Sequence, residues 1–176
     1  MSAPSPSSPP SFDGASVCYE AAGDWRKKAD VENNLAVLHA EAGRVEQAME
    51  HVALALGSCP ADEEVAAQVE DTRAIIALAA GDAGLAVDFA YSSVTRLRRL
   101  DNADLLVRSA QTLVRAGRAY HAELEEARLR AVLVACEWNL KRAARPLGFN
   151  SREALTNHIM RKFPRLDAER RNRTVT

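Results

Sequence analysis

Between residues 139 and 164 the chain reads NLKRAARPLGFNSREALTNHIMRKFP, with six Lys and Arg and a single acid, Glu153, in a protein of 176 residues whose formal charge is −1. These residue types at this spacing suit one chemistry, the recognition of a grooved polyanion. At a major-groove edge Arg can pair with guanine and Asn with adenine, while cations that miss the bases hold phosphates. Arg152, Thr156, Asn157 and Arg161 are therefore the base-reading candidates, and Lys141, Arg142, Arg145, Ser151 and Lys162 the phosphate candidates. Double-stranded DNA is the expected partner. The plain alternative is a solvated basic face closing a helical domain.

The near-neutral total hides a division. Residues 139 to 176 hold ten Lys or Arg against three acids, +7, which leaves −8 on residues 1 to 138. A basic end on an acidic body is the electrostatic pattern of a polyanion-binding segment.

The candidate side chains need helices to hold them. Asn139 can cap a short helix over LKRAARPL, with Leu140, Ala143, Ala144 and Leu147 available for packing. Pro146 removes one N–H near its end, so this helix should kink or stop early, and Gly148 ends it. Asn150 with Glu153 resembles a capping box, so a further helix is expected from there to Phe163, stopped by Pro164. On it Leu155, Ile159 and Phe163 share one side; Glu153, Asn157 and Arg161 lie opposite, with Arg152 and Thr156 at the leading shoulder. The preceding segment ELEEARLRAVLVACEWN puts Leu129, Val132, Leu133 and Cys136 on one stripe. It is expected to serve both as the last helix of the body and as the first helix of the basic end, joining them as one rigid body.

Short helix, glycine turn, helix is the helix-turn-helix plan. With Asn139, Ala143 and Ala144 at the crossing, Leu147 and Gly148 in the turn, Asn150 as cap and Leu155 as inward anchor, the segment VLVACEWNLKRAARPLGFNSREAL resembles the Fis-type helix-turn-helix of bacterial transcription regulators. The resemblance implies that Arg152, Thr156 and Asn157 meet DNA and that Lys141 and Arg142 lie near phosphates. Leu155 lies seven residues after Gly148, where the Fis type has six; that spacing resembles AraC-type segments, and it would move the reading helix one residue later.

The acidic body is periodic. AGRVEQA, AGDAGLA and AGRAYHA each place Ala five residues after Gly, at Gly43, Gly81 and Gly117, 38 and 36 residues apart. Such spacing predicts three helical hairpins, each glycine ending one helix and each alanine letting the next approach closely. Leu35, Leu38, His39 and Ala42 before Gly43, with Val45, Ala48, Met49, Val52 and Leu56 after it, form the best-marked pair. With Leu35, Ala36, Gly43, Ala48, Ala55 and Pro60, this first unit resembles the tetratricopeptide repeat. The resemblance implies a surface for dimerisation or for a protein or peptide partner. The later units lack the closing proline.

The expected fold is all-α: a disordered tail over 1–16 (MSAPSPSSPPSFDGAS), tetratricopeptide-like hairpins over 17–122, a Fis-type helix-turn-helix over 123–165, and a basic flexible tail over 166–176. No phosphate loop, dinucleotide glycine pattern, zinc pair or glycine-flanked nucleophile is present, so the expectation is no enzyme, no cofactor and no metal. Cys18, Cys59 and Cys136 are an odd, scattered set, read as free thiols. Without a membrane span or a secretion signal, the expected location is the bacterial cytoplasm, at the nucleoid. The function expected is that of a transcriptional regulator, a homodimer on duplex DNA; the competing reading is a repeat adaptor that binds proteins without specific DNA contact.

Overall fold

The computed structural model describes residues 12–100 and 102–173. Among them are nine helices and no strand: α1 (Phe12–Ala21), α2 (Trp25–Glu41), α3 (Val45–Ser58), α4 (Glu63–Ala80), α5 (Ala83–Leu97), α6 (Ala103–Ala135), α7 (Leu140–Ala144), α8 (Arg152–Lys162) and α9 (Pro164–Arg173). None of the described helices is long and apolar enough to cross a membrane. The chain forms two compact units, divided between Tyr120 and His121.

In the N-terminal unit, α2 pairs with α3 and α4 with α5 as antiparallel hairpins. Their starts are written locally: Asp24, Asp62 and Asp82 each accept a backbone N–H from the first turn of the helix that follows. Gly81 ends α4 at φ +81°, a left-handed conformation that costs a residue with a Cβ about 1–2 kcal/mol. The core is built largely of alanine. Ala29, Ala36, Ala40, Ala48 and Ala55 pack with Val52, Val65, Val69 and Ile76, so the helices approach closely and depend on small side chains at the crossings.

Two polar networks stitch this core. Glu32 of α2 is buried; it accepts from the Ser16 hydroxyl of α1 and meets His51 Nδ1 of α3 at 2.7 Å. The buried Ser93 hydroxyl of α5 reaches the Ala67 carbonyl of α4 at 2.8 Å and Ser109 of α6 at 3.0 Å. Each satisfies polar groups that would otherwise destabilise a dry interior.

Three sequence expectations change here. The hairpin expected at Gly117 does not form: that glycine lies inside α6, which continues for 33 residues. A lone glycine is a weak stop, costing about 1 kcal/mol against Ala, unless packing on its far side rewards a turn. Ala48 and Ala86, after the first two glycines, are fully buried, whereas Ala122 is exposed. The tail expected over 1–16 overlaps α1 from Phe12, which Ser16 anchors to Glu32; residues 1–11 lie outside the described residues. The basic tail expected over 166–176 is helical as far as Arg173, because Leu166 is fully buried against Phe163 and its neighbours.

The C-terminal unit holds the end of α6 with α7, α8 and α9. Leu129 and Leu133 of α6, Leu140, Ala143 and Ala144 of α7, Leu155 and Ile159 of α8, and Leu166 of α9 form its core, flanked by Leu147, Phe149 and Trp138.

Candidate nucleic-acid interface

Local chemistry sets each boundary of α7 and α8. Asn139 caps α7 as expected, its side chain accepting from the amides of Lys141 and Arg142 at 3.1 and 3.2 Å. Just before it, Glu137 and Trp138 both take positive φ, +53° and +57°, so two residues with Cβ atoms make a turn that glycine would make more cheaply. α7 stops at Ala144, before Pro146, which fits a proline that cannot continue the hydrogen-bond ladder. Gly148, at φ +82°, then reverses the chain, and Phe149 returns to the core with its amide bonded to the Ala144 carbonyl at 2.9 Å.

The cap of α8 is not Asn150. Ser151 is the N-cap, accepting from the Ala154 amide at 3.1 Å, and α8 starts at Arg152. Glu153 therefore occupies the second helical position and cannot close a capping box. Instead its carboxyl is held below the ordinary Glu range by a hydrogen bond from its own amide and by the Ser151 hydroxyl. Glu153 is thus an anion on an otherwise basic surface.

Burial separates the two sides of α8 cleanly. Leu155 and Ile159 are fully buried and Phe163, just beyond the helix, nearly so. Arg152, Glu153, Asn157 and Arg161 are exposed, whereas Thr156 is half-buried and its hydroxyl donates to the Arg152 carbonyl at 2.8 Å. Ala154 and Met160 share the exposed side, Met160 at 47% exposure. Neither was singled out from the sequence, although each lies three residues from Asn157. Apolar groups on such a face can contact a thymine methyl.

The remaining candidates lie on exposed ends. Lys141 and Arg145 are exposed and form no ion pair with a described residue. Together with Arg152 they border an open hollow at the start of α8, which Phe149, Asn150 and Glu153 complete. Arg142 lies 3.7 Å from Glu137, and Lys162 lies 3.8 Å from Glu125. Ser151 is engaged as the cap. His158 sits between Phe149 and Phe163, with ring centroids 5.0 and 5.9 Å away, and its Nε2 meets Glu125 at 2.9 Å. It therefore fixes α8 against α6 and turns away from the exposed side.

The basic residues of α9 are mostly paired. Asp167 is buried, and although burial pushes its carboxyl up, hydrogen bonds and charge from Arg170 and Arg171 outweigh this and hold it below the ordinary Asp range. Arg130 and Arg173 both approach Glu169, and Arg173 also lies over the Trp138 ring at 5.2 Å. These contacts anchor α9 and engage its arginines within the unit.

No family model, curated protein or solved structure matches the chain. The case for any function therefore stands on the residues. Among the described residues no cluster of His, Cys, Asp and Glu could hold a metal ion.

Proposed function

We propose that the C-terminal unit reads duplex DNA, with α8 in the major groove and α7 positioning it, and that the protein is a bacterial transcriptional regulator. One observation carries this: α8 buries Leu155 and Ile159 while leaving Asn157 and Arg161 exposed on one side and Arg152 exposed at its first turn, with Lys141 and Arg145 exposed beside that turn. Arg and Asn in an exposed row match guanine and adenine edges, and cations at the flanks match phosphates.

Asn157 and Arg161 are assigned as base readers, Arg152 as a contact at the leading edge, and Lys141, Arg142, Arg145 and Lys162 as phosphate contacts. Thr156 offers its methyl group, since its hydroxyl is bonded within the helix. One such unit spans a half-site, so a homodimer on a two-fold operator follows from the symmetry of duplex DNA. The α2–α3 and α4–α5 hairpins are assigned, as tetratricopeptide-like units, to dimerisation or partner binding.

The test is retardation of a random-sequence duplex by the full chain at low salt, followed by selection of bound sites from a random pool. Retardation and enrichment of a common site are expected. Absence of retardation at low salt refutes the reading and leaves the adaptor function in its place.

A further inference from the structure

Within the N-terminal unit, α2, α4 and α6 line a pocket of about 70 Å³ at the edge of the helical core. Its lining carries both signs of charge, with Asp71 from α4 and Arg108 from α6, together with the Asn33 amide from α2. Val37, Ile75 and Leu105 supply an apolar wall.

Two acceptors here lack donors. Asn33 Oδ1 and Asp71 Oδ1 are buried without a hydrogen-bond partner, while the Asp71 carboxyl as a whole is held by hydrogen bonds from Thr112 and Ser109. Native interiors rarely leave such atoms unpaired, and a buried carboxylate oxygen is especially costly to leave so. Burial raises the Asp71 carboxyl above the ordinary Asp value, against the lowering influence of the Thr112 and Ser109 hydroxyls and then of Arg108 and Arg115. A donor bearing positive charge in the pocket can serve these oxygens. Arg108 is exposed and forms no ion pair with a described residue, so its guanidinium is a ready partner for an anionic group.

A simple amine would meet Asp71 but be repelled by Arg108, and a simple carboxylate would meet the reverse. A molecule carrying both groups satisfies both ends. We propose that this pocket binds a small free α-amino acid, its ammonium donating to Asp71 and Asn33, its carboxylate accepting from Arg108, and its side chain against Val37, Ile75 and Leu105. At about 10–15 Å³ per water site, the volume holds roughly five waters, which suits a small amino acid and excludes a large aromatic one. Binding here requires nothing of the C-terminal unit, so its success or failure is distinct from that of DNA recognition.

The experiment is isothermal titration of the full chain with the standard amino acids one at a time, alongside methylammonium and acetate as half-ligands. Saturable binding of at least one small amino acid is expected, with neither half-ligand binding comparably. Asp71→Asn and Arg108→Gln should each weaken it roughly ten- to a hundredfold, the loss expected for one charge-assisted hydrogen bond. Both should keep the wild-type far-UV helix signal; should Asp71→Asn unfold, the exposed Arg108→Gln carries the comparison. No saturable binding by any amino acid overturns the proposal. So does methylammonium binding as tightly as the amino acid, or an affinity that Arg108→Gln leaves unchanged.

Discussion

Removing Lys141 and Arg145 together is the sharpest perturbation of the proposed interface. Both side chains are exposed, neither forms an ion pair with a described residue, and both border the hollow at the start of α8. Replacing them by Ala should therefore change stability by no more than about 0.5 kcal/mol. Their effect on DNA binding should be much larger and of a specific kind. Each phosphate neutralised contributes about −0.9 to the slope of log K against log salt. Four cations, Lys141, Arg142, Arg145 and Lys162, then give a slope of about −3.6 for one unit, a loss of about 150-fold in affinity between about 50 and 200 mM salt. The nearby Glu137 and Glu125 do not remove Arg142 and Lys162 from this count, because ion pairs between exposed groups at 3.7 and 3.8 Å are weak. With two contacts gone the slope should fall to about −1.8, and the loss over the same range to about 12-fold. Fluorescence anisotropy of a labelled random-sequence duplex, titrated at several salt concentrations, measures both slopes. A wild-type slope near zero, or a slope unchanged in the double variant, refutes the phosphate assignment.

Other substitutions separate reading from folding. Asn157→Ala and Arg161→Ala should each cost about 1–3 kcal/mol on the selected site and far less on random duplex; equal losses on both would show that these residues do not read bases. Leu155→Ala, at a side chain with no exposure, should destabilise the fold by about 2–5 kcal/mol in a urea titration. Gly148→Ala forces a Cβ into φ +82° and should cost about 1–2 kcal/mol, although no atom lies within 4 Å of the added carbon. Asp167 has its folded pKa lowered, so its contribution to stability is present above the unfolded carboxylate value of about 3.9 and is lost as pH falls through the folded value. The stability difference between wild type and Asp167→Asn should accordingly be constant above about pH 5 and shrink below about pH 4.

Much of the local structure was legible in the sequence. Asn139 at the start of α7, Pro146 beyond its early end, Gly148 in the turn, and the inward row of Leu155, Ile159 and Phe163 all act through neighbours within about one turn. The same holds for Gly43 and Gly81. Side-chain type and backbone freedom are enough to write such features. The exposed row on α8 was equally readable, because burying one side of a helix exposes the other.

Choices between near-equal local options were decided by tertiary contacts. Asn150 and Ser151 can both cap a helix; with Phe149 in the core, the cap falls on Ser151, so α8 takes the later of the two registers that the sequence offered and Glu153 stands outside a capping box. Gly117 could have been a third turn, but Ala122 finds nothing to bury it and the helix continues. RLDAERRNR reads as a solvated tail until Leu166 enters the core beside Phe163 and Asp167 draws in Arg170 and Arg171. Nor could the sequence bring together Asn33, Asp71 and Arg108, which lie on three helices and meet only when those helices pack. The sequence alone determined the Asn139 cap, the Gly148 turn and the two sides of α8, since each depends on neighbours along the chain. Packing decided the length of α6 and the pocket, because a lone glycine costs only about 1 kcal/mol against Ala and residues on separate helices meet only when those helices pack.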